Sequence, residues 1–164
     1  MDLLWQELSY GLHGRGHLAI VVLRVLTAII LGGIVGIERE RAGKPAGLRT
    51  HMLVCLGTSV VVLACSGAAM SLEGLSRVIQ GIVTGIGFIG AGSILKLDEE
   101  RHIEGLTTAA GLWMTAAIGV AVGLGALGVA LIGTIVTLLV LALEGLLESR
   151  LSSKRTKKQG NVSS

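Results

Sequence analysis

Residues able to do chemistry lie in two settings. The first is charged. Glu38, Arg39, Glu40, Arg49, Thr50 and His51 cluster in one segment, and Lys96, Asp98, Glu99, Glu100, Arg101, Glu104, Thr107 and Thr108 in another. A magnesium ion takes one or two carboxylates and keeps several waters. The acidic run therefore reads either as a divalent-cation site or, more simply, as a solvated loop, and no metal ligand set is assigned. The second setting is apolar. Arg24, Gln80, Cys55, Cys65 and Ser93 stand inside long uncharged stretches. An ionisable residue at membrane depth is a functional candidate by default, while snorkelling to the nearer interface is the structural reading of Arg24. No acid in these stretches can pair with Arg24, and Gln80 offers it an acceptor oxygen.

Catalysis finds no foothold in these groups. Ser93 follows Gly92 in apolar sequence, but a serine nucleophile needs a base within hydrogen-bond reach, and no histidine lies within the apolar stretches. Cys55 and Cys65, ten residues or about 15 Å apart along one helix, cannot bridge each other and have no metal-ligand spacing partner, so they read as small packers. Gly85-Ile86-Gly87-Phe88-Ile89-Gly90 matches G-x-G-x-x-G letter for letter. A dinucleotide turn must join a strand to a helix in a wetted site with an acid about 20 residues on, and these glycines stand in mid-span. No phosphate-binding P-loop, H-E-x-x-H or aspartyl-phosphate motif is present. The chain is read as a non-enzyme with no catalytic residue and no cofactor.

The elements that position these groups follow from composition. The 164 residues are 51% apolar, 15% charged and 2% aromatic, with 25 glycines and one proline. Disorder requires low hydrophobicity and a disulfide framework requires more than two cysteines. Five windows remain, near residues 18–37, 52–69, 78–95, 106–124 and 126–143, and Arg24 is the one charged residue inside them. Each holds 18 to 20 residues, against about 20 needed to cross a hydrocarbon layer of about 30 Å. The expected fold is all-α, a polytopic membrane protein of five transmembrane helices. The run from Leu106 to Leu143 is too long for one crossing, so Gly123-Leu124-Gly125 is the expected hairpin. Residues 1–17 form an extracytoplasmic N-terminal segment, 18–148 the membrane domain, and 149–164 a basic cytoplasmic tail without regular structure.

Orientation follows from the basic residues. Eleven lie on one side of this arrangement: Arg39, Arg41, Lys44, Arg49, Lys96, Arg101, Arg150, Lys154, Arg155, Lys157 and Lys158. Arg15 and Arg77 lie on the other. The positive-inside rule places the N-terminus outside and the C-terminus in the cytoplasm.

Glycine is expected to bring helices together, since little hydrophobic drive acts between helices in lipid. Gly32 and Gly36, Gly81 and Gly85, and Gly119 and Gly123 each place two glycines on one face, suited to packing inside the bundle or to a homo-oligomer seam. Five glycines from Gly81 to Gly92 also fit a broken helix lining a cavity. Gly47-Leu48-Arg49-Thr50 and Gly105-Leu106-Thr107-Thr108 open the second and fourth windows alike, which suggests a parallel internal repeat of helices 1-2 and 3-4. Free N–H groups at such helix starts attract an anion, with Glu38, Glu40, Glu104 or a lipid phosphate as partners.

Several blocks in one order resemble the MgtC/SapB family: Gly36-Ile-Glu-Arg-Glu40, Lys44-Pro-Ala-Gly-Leu-Arg-Thr-His51, Gly85 to Gly92, and Glu104-Gly-Leu-Thr-Thr-Ala-Ala110 with Trp113. The resemblance covers roughly residues 20–146. It implies a five-span domain of the bacterial inner membrane, linked to magnesium limitation and survival in host phagocytes, without ATPase machinery. Better-known members are similar to regulators of other membrane proteins, including ATP synthase and a P-type magnesium transporter, and carry a soluble C-terminal domain that this chain is expected to lack. The expected function is a non-enzymatic regulator involved in magnesium homeostasis, stress survival or virulence, with a magnesium or other ion transport component as the alternative. The expected partners are the lipid bilayer, other membrane proteins and a second copy, and no nucleic acid. Glu38, Arg39, Arg49, Thr50, His51, Glu104, Thr107 and Thr108 are the expected working surface.

Overall fold

Five helices and one short hairpin make up the described residues. The computed structural model describes residues 14–68, 70–97 and 102–160. The N-terminal segment up to residue 13 and the run from Asp98 to Arg101 lie outside the described residues. Helices α1 (Gly14–Arg41), α2 (Leu48–Gly67), α3 (Leu72–Gly92), α4 (Leu106–Leu124) and α5 (Leu127–Gly160) follow in order, with strands β1 (Leu95–Leu97) and β2 (His102–Glu104) between α3 and α4. Four helices, over Gly16–Arg41, Leu48–Ser66, Leu72–Gly92 and Leu106–Leu124, are long and apolar enough to cross a membrane, and the apolar part of α5, Leu127–Leu143, is shorter.

Local chemistry sets the ends. Gly43 takes a left-handed φ of 67°, Gly43 N–H donates to Glu40 O and Lys44 N–H to Arg39 O, the paired bonds that close a helix on a glycine. Gly125, with φ 83°, ends α4 in the same way through Gly125 N–H to Val122 O and Ala126 N–H to Ala121 O, at the hairpin the glycine pair marks. Ser71 caps α3 by accepting from Gly74 N–H at 3.1 Å. Between Gly81 and Gly92 α3 is unbroken. Lipid offers no partner for a freed amide, so an uninterrupted ladder outweighs glycine's low helix propensity.

Two differences from the expected elements stand out. The loop after α3 pairs as an antiparallel hairpin, Leu95 opposite Glu104 and Leu97 opposite His102, which satisfies backbone groups that a plain loop would leave to water. Helix α5 continues through residues 149–160, where the sequence predicts an irregular tail. Leu, Glu, Arg, Lys and Gln dominate from Glu144 onward, and all are strong helix formers.

The bundle centres on α1, α2 and α4, with α5 closing one side. Ala28, Leu31 and Val35 of α1 meet Cys55 of α2, Ile118 and Val122 of α4, and Ala130 and Leu141 of α5. Half of the α4 span is buried, against 11% of α3, so α4 is the central rod and α3 the rim. The sense of each pair is read from its contacts. Gly32 faces Cys55 and His51 while Gly36 faces Leu48, so α1 and α2 are antiparallel. Gly119 faces Cys55 and Gly123 faces Ser59 and Val62, so α2 and α4 are parallel. Outward faces are oily throughout, with Leu72 86% and Phe88 85% exposed, a surface that only a lipid solvent tolerates. The protein is a multi-pass membrane protein.

Candidate functional site

At the loop end of α1 three consecutive charged residues point in three directions, because successive helical residues are about 100° apart. Glu40 reaches forward, and its Oε2 accepts the Leu48 N–H at 2.9 Å, closing the N-terminus of α2. A carboxylate there also meets the positive end of the helix dipole. Arg39 turns inward and is 1% exposed. Its Nε donates to Glu38 Oε2 at 2.5 Å and its Nη2 to Glu38 Oε1 at 2.8 Å, a two-pronged pairing with the preceding residue.

One turn into α2, His51 is fully buried. Its Nδ1 stands 2.7 Å from Thr115 Oγ1, and Thr115 Oγ1 donates to Gly111 O at 2.9 Å. A hydroxyl has one proton. Where that proton lies on Gly111 O, the Nδ1–H of His51 donates to Thr115 Oγ1. Nε2 is buried without a hydrogen-bond partner, as is Ser59 Oγ two turns further along the same helix. The close approach that buries His51 rests on glycine. A Cβ at Gly32 would fall 2.7 Å from His51 O, and one at Gly36 2.7 Å from Leu48 Cα.

Arg24 sits at the far end of the same seam. Its Nη1 donates to Gly123 O at 2.8 Å, so a cation meets one of the open carbonyls that end α4. Gln80, the partner suggested by sequence, is exposed on α3, and its backbone carbonyl accepts from Thr84 Oγ1. A Cβ at Gly125 would run into the Arg24 guanidinium. Gly125→Ala is expected to lose roughly 1–3 kcal/mol, from the left-handed backbone and the displaced cation. Denaturant titration of the purified protein checks this. Arg24→Gln in the same chain should cost less than its own single loss, since the contact is already broken.

Of the eight residues expected on a working surface, the structure brings some inside. Arg39, His51 and Thr108 are buried, Glu38, Thr50 and Thr107 are half-buried, and Arg49 and Glu104 are exposed. The glycine pairs divide as well. Gly32, Gly36, Gly119 and Gly123 press on α2, whereas Gly81 and Gly85 have nothing within 4 Å of an added Cβ. Ser93 Oγ donates to Gly90 O at 2.7 Å and so ends α3. Among the described residues no three His, Cys, Asp or Glu converge as metal ligands, and Asp98, Glu99 and Glu100 lie outside them.

Thr115 and Ser59 are the site residues that sequence reasoning passes over. A signal for Thr115 exists: Thr108, Gly111, Thr115, Gly119 and Gly123 recur every three or four residues along α4, one face of small and hydroxylated groups against α2.

Comparison with known proteins adds to this geometry. The chain is 41% identical over 130 residues to "Protein SrpB" of Synechococcus elongatus, covering 73% of this chain and 71% of the relative. It is 42% identical over 140 residues to "Putative magnesium transporter YhiD" of Escherichia coli K12, covering 81% and 64%. It is 44% identical over 117 residues to "Protein MgtC" of Salmonella typhimurium, covering 71% and 49%. The chain thus spans about half to seven tenths of these relatives' lengths. No solved structure matches it. The profile described as the MgtC family matches residues 25–150, a stretch that holds the Glu38–Arg39 pair, the Glu40 cap and the His51–Thr115 bond, and the chain belongs to that family.

Proposed function

We propose that this protein is a non-enzymatic regulator of other membrane proteins in the bacterial inner membrane, acting when magnesium is scarce. In this reading five helices span the bilayer. The 17 apolar residues of α5 are at the lower limit for a crossing, and eleven basic residues against two set the N-terminus outside and the charged loops in the cytoplasm. The parallel sense of α2 and α4 supports a duplication of the α1–α2 and α3–α4 hairpins. The observation that carries the reading is the division of labour at the loop end. His51, bonded to Thr115, ties α2 to α4, Arg39 is enclosed at the end of α1 with Glu38 as a partner, and in this reading the frame presents Arg49, Thr50, Glu104 and Thr107 to the cytoplasm. A preorganised polar rim on a rigid frame suits protein recognition.

The test is growth of a deletion strain in magnesium-poor medium. Impaired growth is expected, with rescue by the wild-type gene and weaker rescue by Arg49→Gln expressed at equal level. A deletion strain that grows like its parent would sink the proposal. The second reading, an ion-transport component, draws on the name of the YhiD relative and on the buried His51, Ser59 and Thr115. It requires magnesium, proton or potassium flux into liposomes holding the purified protein above that of empty vesicles.

A further inference from the structure

Between α2 and α3 a groove of about 610 Å³ runs down the side of the bundle. Its walls are Leu53, Gly57, Thr58 and Val61 on α2 and Ile82, Gly85 and Ile86 on α3, and Arg49 and Thr50 stand at one end. Glycine makes the groove. Nothing lies within 4 Å of a Cβ added at Gly57 or Gly85, so the missing side chains leave open space where α2 and α3 diverge. Arg49 is exposed and has no ion pair among the described residues, in contrast to the enclosed Arg39 and to Arg77, which pairs with Glu73.

We propose that this groove is a binding site for one anionic phospholipid, its phosphate on Arg49 and Thr50 and an acyl chain along the glycine floor. Three features select that occupant. Past its charged end the lining is apolar but for Thr58, whose hydroxyl donates to backbone carbonyls of its own helix, which matches an amphipath charged at one end. From Arg49 to Val61 the helix rises about 18 Å, close to the roughly 15 Å half-thickness of the hydrocarbon core. The charged end lies beside the basic α1–α2 loop, at the surface where anionic headgroups attract Lys and Arg. A second copy is a poor occupant. A two-fold axis along the membrane normal through this groove would set Arg49 against Arg49, and like charges in apposition oppose association. The inference does not depend on the regulatory reading.

The experiment uses the full chain in nanodiscs of equal phosphatidylglycerol and phosphatidylcholine, with retained lipids counted by native mass spectrometry. Wild type should retain phosphatidylglycerol over phosphatidylcholine about five-fold, as expected for one added cation at the surface. Arg49→Gln should bring the ratio near one, and Gly85→Leu, which fills the floor, should reduce retention of both lipids. Arg77→Gln should leave the ratio unchanged. An even ratio in wild type, or an unchanged preference in Arg49→Gln, would overturn the proposal. So would efficient dimer crosslinking in native membranes by Ile82→Cys, made in a chain with Cys55 and Cys65 replaced by alanine, because the groove would then hold a second copy. Growth in low magnesium does not enter the readout, so failure here and failure of the regulatory reading are distinguishable.

Discussion

Gly119→Leu should cost more stability than the same substitution at any other glycine within the described helices, while Gly81→Leu, in a motif of the same spelling, should change it by less than about 0.5 kcal/mol. A Cβ at Gly119 would collide with Thr58 Oγ1 and with the Cys55 carbonyl oxygen, with Cys55 C only 3.0 Å away. Two of these three are backbone atoms of a packed helix. They cannot swing aside as a side-chain tip can, so α4 must move off α2. Overpacking a fitted core costs about 1–3 kcal/mol and occasionally more, and the clash with fixed backbone places Gly119→Leu at about 3 kcal/mol or above. Separating the two helices would also break the His51–Thr115 bond, since both residues stand on this interface. The unfolded fraction across a denaturing detergent titration measures the difference. Equal losses at Gly119 and Gly81 would mean that α3 has a packing partner the isolated chain does not show.

That contrast marks what the sequence can and cannot reveal. The spans of α1 to α4 are legible because lipid forbids charge over about 20 residues, and charged segments punctuate the chain at Glu38 to Arg49 and Lys96 to Glu104. The hairpin at Gly125 is legible because 38 apolar residues exceed one crossing and a glycine can take φ 83°. The glycine motifs are legible only as capacity. Spacing of four places two glycines on one face, but whether that face meets a helix depends on where the neighbouring helix lies, which is a tertiary property. Hence Gly119 and Gly123 press on α2 while Gly81 and Gly85 stand open.

The site is legible by residue type more than by role. Glu38, Arg39 and His51 look like surface groups because charged and polar residues at a helix end usually are. The structure turns Arg39 and His51 inward because the glycine faces at Gly32 and Gly36 draw α1 against the first turn of α2, enclosing whatever projects there. Glu40, one of several candidate anions for a helix start, is the one that reaches Leu48 N–H, since the glycine-closed turn at Gly43 returns the chain directly beneath it. Arg24 pairs with Gly123 O across the bundle, a partner 99 residues away that no local pattern could name.

The other large effect should come from Glu38. Glu38→Gln removes the carboxylate that receives two bonds from an Arg39 side chain only 1% exposed. Breaking a buried pair by taking away one member costs about 3–5 kcal/mol, because the remaining charge keeps its desolvation penalty. Glu38 is itself 28% exposed and Arg39 keeps an interaction besides this pair, so the loss should sit at or below the lower end of that range. If charge burial is the cause, removing the cation as well should repair much of the damage. Glu38→Gln with Arg39→Met should therefore be more stable than Glu38→Gln alone, as an apolar isostere can replace a buried ion pair with little loss. Arg49→Gln supplies the contrast, since an exposed side chain without an ion pair among the described residues should change stability by less than about 0.5 kcal/mol. Stability and low-magnesium growth, measured side by side, then separate frame from surface. Glu38→Gln should lose folded protein and growth together, whereas Arg49→Gln should lose growth with the fold intact. A Glu38→Gln chain as stable as wild type would show that Arg39 does not rely on this carboxylate, and the frame would have to be sought in the His51–Thr115 bond and the glycine seam instead.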